Sequence, residues 1–314
     1  MTYSDYLTAP SILLAAVIMD RLLGDPRKWH PLAGFGQLAQ WVEHIVRKSD
    51  FQGEPDKVMR AKGAAAVFLL LLPFIVASAW LVSVPRWGNI FQIVLLYFAL
   101  GARSLTQHAQ AIADALQDKD LYQARSRVAM IVSRDTTNMQ ENDIAKAAVE
   151  SVLENGSDAV FATIFWFLLL GVPGAIMYRL ANTLDAMWGY RNARYLHYGW
   201  AAARFDDLLN WLPARLTALT YTLSGNRALA WHCWRSQGKH WYSPNAGPVM
   251  AAGAGSLNIE LGGPACYDGK IKYRPILGAG AKPRANDIDR ALVLVQRGLW
   301  LWVALAIAGG LALA

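Results

Sequence analysis

Carboxylates and amides stand in three places directly against long apolar runs: Glu150-Ser-Val-Leu-Glu154-Asn155-Gly-Ser-Asp158, Asn182-Thr-Leu-Asp185 and Arg204-Phe-Asp206-Asp207-Leu-Leu-Asn210. Near the bilayer centre each charged side chain costs about 2.5–3.5 kcal/mol on insertion scales. A chain that keeps so many beside apolar runs is expected to use them. Hard oxygen ligands of this kind suit Mg²⁺, which takes a carboxylate or two and keeps waters for a nucleotide phosphate. Asp206 and Asp207 are the sharpest case, because two such charges in one desolvated pocket repel by about 4 kcal/mol at a separation near 4 Å and an effective dielectric near 20. Such a pair needs a proton, an arginine or a divalent cation. Arg204, three residues before Asp207, offers a plain ion pair as the simpler explanation. On a helix expected over 137–156, Asp143, Glu150 and Glu154 share one face, and Lys146 pairing to Glu150 would make that face merely solvated.

Other residues carry weaker signals. Asp20 and Asp25 flank Arg21 at the end of the first apolar run, and Asp20 lies inside it. Arg134-Asp135-Thr136 precedes a helix, so it is either a capping turn or an arginine for phosphate positioned by Asp135. Ser243-Pro-Asn245-Ala-Gly247 is a turn whose backbone amides could cradle an anion. Six histidines show no metal-ligand spacing and are read as structural. Cys233 and Cys266 form neither a disulfide framework nor a zinc pattern and are expected to be free thiols. Phosphate-cradling glycine motifs of the P-loop and dinucleotide-fold types are absent from the sequence.

The elements that must position these groups are membrane helices. The chain has 314 residues, 54% hydrophobic and 17% charged, with 13 Trp. Soluble domains carry about 25% charged residues, and indoles favour the water–lipid boundary. Leu7–Leu23, Gly63–Val84, Gly88–Leu105 and Leu292–Ala314 are each near span length. The expected fold is all-α: a polytopic integral membrane protein with about four spans, up to six. Re-entrant or amphipathic helices and Gly/Pro-rich loops complete it. The chain is read as one membrane domain over 1–314, with 106–291 mainly cytoplasm-facing. The 24–62 loop, with Arg27, Lys28, Arg47, Lys48, Lys57, Arg60 and Lys62, faces the cytoplasm by loop-charge bias. A single crossing by Ala159–Leu180 would place Arg179, Arg191, Arg194 and Arg204 outside. A re-entrant segment, broken at Gly171-Val-Pro173-Gly174, resolves this, as would burial in protein. A helix is expected to start at Thr137 with Gln140 completing a capping box, and to end at Gly156. The stretch from Trp241 to Arg284 reads as loops and short turns at a binding surface. The net charge of +7 comes without a basic block interleaved with aromatics, which argues against nucleic acid.

Taken in order, Asp20-Arg-Leu-Leu-Gly-Asp25-Pro26 with His30-Pro31, Arg134-Asp135-Thr136, Glu150-Ser151 with Glu154-Asn155 and Asp158, Asn182-Thr183-Leu-Asp185 with Gly189-Tyr190, Ala203-Arg204-Phe-Asp206-Asp207 with Asn210 and Pro213-Ala-Arg215, and Ser243-Pro-Asn245-Ala-Gly247 resemble the CobD/CbiB family of cobalamin biosynthesis. The resemblance spans nearly the whole chain. It implies an adenosylcobinamide-phosphate synthase, an inner-membrane ligase that uses ATP and Mg²⁺. Its corrinoid substrate is adenosylcobyric acid, joined through a propionate carboxyl to the amine of (R)-1-aminopropan-2-ol or its O-phosphate. Other cobalamin-assembly membrane enzymes and further copies of the chain are the protein partners this admits, beside the lipid bilayer.

Amide formation from a carboxylate is uphill in water, so the acid must first be activated, most simply as an acyl phosphate. On that footing Glu150, Glu154, Asp206 and Asp207 are expected to hold Mg²⁺–ATP. Arg134, Arg204 and Arg215 are expected to hold phosphates, with Asp135 positioning Arg134. Asn155, Asn182, Ser243 and Asn245 would orient substrate amides, while Asp20, Asp25 and Asn210 complete the binding surface. Asp158 or Asp185 is the expected base. An ion-coupled transporter is the rival reading, since it also places carboxylates and broken helices in the membrane, but its sites are usually built from repeat-related segments. No internal repeat is seen here. A non-catalytic docking partner is a second rival.

Overall fold

The computed structural model describes residues 3–26, 30–48, 55–267 and 269–313; Arg27 and Lys28 of the basic first loop, and Ala314, lie outside the described residues. In chain order the helices are α1 (Tyr3–Leu23), α2 (Pro31–Lys48), α3 (Asp56–Val82), α4 (Gly88–Ala99), α5 (Ala102–Gln117), α6 (Leu121–Val128), α7 (Glu141–Gly156), α8 (Ala162–Trp188), α9 (Trp200–Ser224), α10 (Arg227–Gln237) and α11 (Ala246–Leu257). Two antiparallel strands follow, β1 (Glu260–Tyr267) and β2 (Lys270–Gly278), and then α12 (Ala285–Leu313). The chain divides into two compact units, one from Met1–Gly101, Ala162–Asn210 and Ala306–Ala314, the other from Ala102–Phe161 and Trp211–Leu305.

Four stretches of helix among the described residues are long and apolar enough to cross a membrane: Asp56–Val82, Gly88–Gln117, Glu141–Trp188 and Ala285–Leu313. The protein is an all-α polytopic membrane protein with one small hairpin. Three of these stretches cover most or all of the runs expected at Gly63–Val84, Gly88–Leu105 and Leu292–Ala314. The fourth is not α1 over Leu7–Leu23 but the stretch through Ala159–Leu180, expected to be re-entrant. It bears two local distortions. A π-helical turn, Ser157–Phe161, joins α7 to α8, and Gly171 breaks α8 with φ 67° and ψ −162°. Pro173 follows, lacking the N–H that would continue the ladder. The break falls where the Gly-Val-Pro-Gly sequence places it. Outward-facing Phe68, Leu69, Val76 and Trp80 on α3 are the lipid-type surface such helices present.

Two sequence expectations need correction. The helix expected from Thr137 begins at Glu141, with Gln140 as N-cap and Asp143 closing the capping box. Asp135 holds the preceding turn, its Oδ1 accepting from Thr137 N at 2.9 Å, so the chain is still turning where the helix was expected to begin. The stretch 241–284 is not a run of loops. Small residues make α11 a helix buried along its whole length, because they allow close approach. A Cβ on Gly253 would lie 2.7 Å from Leu153 side-chain atoms, and one on Gly255 2.7 Å from Ala230 Cα. The glycines that read as turn signals serve packing instead.

The first unit is packed around Phe35, Leu70, Tyr178, Leu184, Trp188 and Tyr198. The second is packed around Ile112, Ile144, Leu153, Phe161, Tyr221 and Met250. In the first unit a Cβ on Gly63 of α3 would sit 1.9 Å from the Tyr198 carbonyl oxygen, whereas one on Gly34 of α2 meets nothing within 4 Å. Gly63→Ala is therefore expected to destabilise by about 1–3 kcal/mol through overpacking. Gly34→Ala should be neutral or slightly stabilising, since alanine is the better helix former. Thermal unfolding midpoints in one detergent compare the two.

Candidate functional site

In the first unit α8 and α9 meet through a polar ladder in an otherwise apolar contact. Asp206 is 8% exposed. Its Oδ1 accepts from Asn182 Nδ2 at 3.2 Å and its Oδ2 from Asn210 Nδ2 at 3.0 Å. The two amides are themselves oriented. Arg179 Nη1 donates to Asn182 Oδ1 at 3.0 Å, and Tyr178 Oη to Asn210 Oδ1 at 2.9 Å. With each amide oxygen held by a donor, each NH₂ is turned on the carboxylate. The network is thus polarised toward an ionised Asp206, since a protonated one would need an acceptor. Local sequence explains the geometry: Tyr178 and Asn182 are four apart on α8, Asp206 and Asn210 four apart on α9, so each pair shares a helix face.

Burial raises the Asp206 carboxyl to about 6; the Asn210 and Asn182 hydrogen bonds and the Arg179 charge pull it back down, and the neighbouring Asp207 pushes it up. Asp207 is raised by its partial burial, against Arg204 and Arg191. Arg204 Nη1 lies 3.7 Å from Asp207 Oδ2, so the expected ion pair forms, but it does not reach the buried neighbour. Arg179 links this core to His30, whose Nε2 lies 3.7 Å from Asp25 Oδ1; Asp20 is buried on α1. His30 Nδ1 accepts from Leu32 N at 3.2 Å, so Nε2 carries the proton in the neutral ring. Burial holds this imidazole below its ordinary value, opposed by Asp25 and reinforced by Arg179. Arg179 thus acts on both His30 and Asp206. Asp185 is held against the α8 terminus, where a Cβ on Gly189 would lie 2.0 Å from its Oδ1.

Among the described residues no three His, Cys, Asp or Glu converge as metal ligands. An all-protein cage is therefore not the fit to test. Mg²⁺ bound to a nucleotide needs only one or two carboxylates, with phosphates and waters supplying the rest. Asp206 and Asp207 fit that mode, being adjacent oxygen donors of which one is buried among amides in the ladder and one is half-buried.

The second unit handles its charges differently. Glu150 is bound from four directions. Oε1 accepts from Gly262 N at 2.8 Å and Arg274 Nη2 at 3.0 Å; Oε2 accepts from Arg274 Nη1 at 2.9 Å and from Arg134 Nη2. A carboxylate has about four lone-pair sites, so none is left for a cation. Glu150, expected among the metal ligands, is instead the anion of an Arg–Glu–Arg staple that ties the hairpin to α7. Gly262 accommodates this with φ 79°; a Cβ there would lie 2.0 Å from Pro275 O. Lys146 pairs with Asp143, 3.8 Å away, and not with Glu150. Arg134, expected to hold phosphate, belongs to the staple, and Asp135 caps the turn without orienting it.

Arg215 Nη1 donates to Asn245 Oδ1 at 2.6 Å and Nη2 to Pro244 O at 3.0 Å. The amides expected to cradle an anion are already used. Ser243 Oγ accepts from Asn245 N at 3.3 Å and Ala246 N at 3.2 Å, capping α11. Asn155 Nδ2 bonds back to Ser151 O at 2.9 Å and to Ser151 Oγ at 3.0 Å. Glu154 lies half-buried on α7, and Asp158 in the π-turn is near enough to act on Tyr221.

The structure therefore joins Asn182, Asp206 and Asn210 directly, sets Asp207 and Arg204 beside them, and leaves the other predicted residues in separate settings. Sequence reading missed Tyr178 and Arg179 in the ladder and Arg274 in the staple. Arg179 had a usable signal, a lone charge inside an apolar run, but it counted only toward loop orientation. Arg179→Gln removes a cation shared by His30 and Asp206. The Asp206 carboxyl then rises further, so the acid limb of any activity that needs it ionised should move to higher pH. A pH–rate profile of Arg179→Gln beside Arg204→Gln checks this, the latter leaving the limb nearly in place.

A buried, amide-oriented carboxylate with a second acid beside it, next to helices of spanning length, defines a polytopic membrane protein with a built polar site. The family described as CobD/Cbib protein matches residues 13–295. A protein of Chromobacterium violaceum named "Cobalamin biosynthesis protein CobD" is 59% identical over 296 residues, 94% of this chain and 95% of the relative. Similarly named proteins of Stutzerimonas stutzeri and Mycobacterium tuberculosis are 53% and 36% identical, covering 95% of this chain in each case and 97% and 96% of the relatives. The chain belongs to the CobD/CbiB family. No solved structure matches it.

Proposed function

We propose that this protein is a cobalamin-biosynthesis ligase, an adenosylcobinamide-phosphate synthase of the inner membrane acting on its cytoplasmic side. The reaction joins adenosylcobyric acid to (R)-1-aminopropan-2-ol or its O-phosphate at the cost of ATP. The observation that carries this reading is the Asp206 ladder: a carboxyl buried in apolar surroundings, yet surrounded by amide donors turned on its ionised form.

Asp206 and Asp207 are the residues that would hold Mg²⁺, which when bound neutralises charge on the nucleotide phosphates. The substrate carboxylate oxygen attacks the γ-phosphorus and ADP leaves, giving an acyl phosphate. The amine nitrogen then attacks the acyl carbon, phosphate leaves, and the amine proton passes to a carboxylate. Asp185, fixed against Gly189, is the base this reading favours, with Asp158 the second choice. Arg179 acts on Asp206 and Arg204 on Asp207, and both are assigned to phosphate oxygens. Glu154 is proposed as a further Mg²⁺ ligand, and Arg215 and Asn245 as substrate-binding residues.

Purified protein incubated with ATP, Mg²⁺, adenosylcobyric acid and the amino alcohol should consume ATP in step with corrinoid amidation. ATP turnover without amide, or none at all, rejects the proposal. The break at Gly171 also suits an ion-coupled transporter. Corrinoid-independent, gradient-driven uptake into proteoliposomes would favour that reading instead.

A further inference from the structure

The outer face of α10 does not take part in the site described above. Its inner face packs through Ala230 and Cys233, both fully buried, against the wholly buried α11. Gln237 adds a reciprocal pair, Nε2 to Gly278 O at 3.0 Å and Oε1 from Gly278 N at 2.6 Å. The opposite face is exposed and carries Arg227, Trp231, Arg235 and, just beyond, Lys239. Arg235 lies over the Trp231 ring at 5.6 Å, which holds the indole and guanidinium side by side at the surface.

This face is not an ordinary solvated one. Solvated helix faces mix signs, with acids placed to pair with bases. Here no Asp or Glu occurs anywhere between Asp207 and Glu260. Arg227 occupies the first helical position, where a cation opposes the helix dipole and destabilises the helix itself. The preceding turns of α9 expose Leu219 and Leu223. The surface therefore grades from aliphatic side chains to an indole and then to cations with no acid nearby in sequence, the order of environments met at a lipid headgroup layer.

We infer that the outer face of α10 is a docking surface for anionic lipid headgroups, with Arg227, Arg235 and Lys239 binding phosphate and Trp231 seated at the acyl boundary. The occupant is the membrane's own anionic lipid. Basic residues at such a surface strengthen binding about fivefold each.

The full-length protein, purified in neutral detergent, would be titrated with short-chain phosphatidylglycerol, short-chain phosphatidylcholine and inorganic phosphate, and bound lipid counted by native mass spectrometry. Wild type should prefer phosphatidylglycerol over phosphatidylcholine. R227E/R235E/K239E should lose about a hundredfold or more of that affinity, with its unfolding midpoint in neutral detergent nearly unchanged, because the dipole favours Glu at 227 and disfavours it at 235 in the last turn. W231A tests the indole separately and should weaken phosphatidylglycerol binding without abolishing the headgroup preference. Equal phosphatidylglycerol affinity in wild type and the triple variant would overturn the inference. So would competition by inorganic phosphate at equal strength, which marks a free-anion site. Unchanged lipid binding together with loss of a co-purifying acidic protein would assign the face to a protein partner and overturn it as well.

Discussion

Replacing Asp206 with asparagine is expected to abolish ligation while making the protein more stable at neutral pH. The two effects share one cause. In the folded protein the Asp206 carboxyl is raised to about 6 by burial, against about 3.9 in an unfolded chain. A group raised in this way favours the folded state while it is protonated, below its unfolded value. That contribution fades as pH climbs through the folded value, and above about pH 6 the buried charge is a net cost. A rise of this size corresponds to on the order of 3 kcal/mol. Asp206→Asn sheds that charge but sets its own NH₂ against one of the two amide donors and loses that hydrogen bond, so it should gain only part of that amount at pH 7–8 and should flatten the slope of stability between about pH 4 and 6. If Asp206 is a ligand of the proposed Mg²⁺, activity should fall by about 10²–10⁴. Asp207→Asn, at a half-exposed site, should give a smaller stability gain. Unfolding midpoints across pH, paired with corrinoid amidation rates, decide the matter. An Asp206→Asn protein that is fully active would remove the ladder from the mechanism, and one destabilised at pH 8 would mean that the ladder is structural glue.

Glu150→Ala is expected to show the opposite signature, a large loss of stability with any loss of activity following from it. Removing this carboxylate leaves Arg134 and Arg274 facing one another at 8% and 5% side-chain exposure. Breaking a buried ion pair from one side costs about 3–5 kcal/mol, because the remaining charge is left uncompensated. Two guanidiniums are stranded here, so the upper part of that range is expected. The hairpin should loosen first, since Gly262 N and Arg274 both anchor it to α7. Hydrogen exchange over 260–278 would rise before global unfolding. Replacing Arg134, Glu150 and Arg274 together with apolar residues of similar size should recover much of the loss, as removing a whole buried ionic group is often neutral or stabilising. If Glu150→Ala were well folded but inactive, the glutamate would belong with the catalytic carboxylates after all.

These two carboxylates look alike in the sequence. Each is an acid on a helix next to an apolar run, with an asparagine four or five residues on. What separates them is which residues arrive from elsewhere. Arg274 is 124 positions from Glu150 and Asn182 is 24 from Asp206, and no local pattern carries that pairing. The same holds for the Ser243 turn, where the amides read as an anion cradle are satisfied by the serine's own oxygen. It holds also for 241–284, where glycine and alanine suit both a turn and a helix packed too closely for larger side chains. Glycine reports a need for room or for unusual backbone, and only the neighbours show which.

The membrane class, most of the spanning helices, the break at Gly171 and the acidic blocks themselves were all legible in the order of the residues. They depend on hydropathy, helix period and proline chemistry, which are local quantities. That Glu150 is neutralised by two arginines while Asp206 is held ionisable by two amides came from the three-dimensional packing alone. The free energy of a buried charge is set by the partners within a few ångströms, and helices and strands far apart along the chain supply those partners.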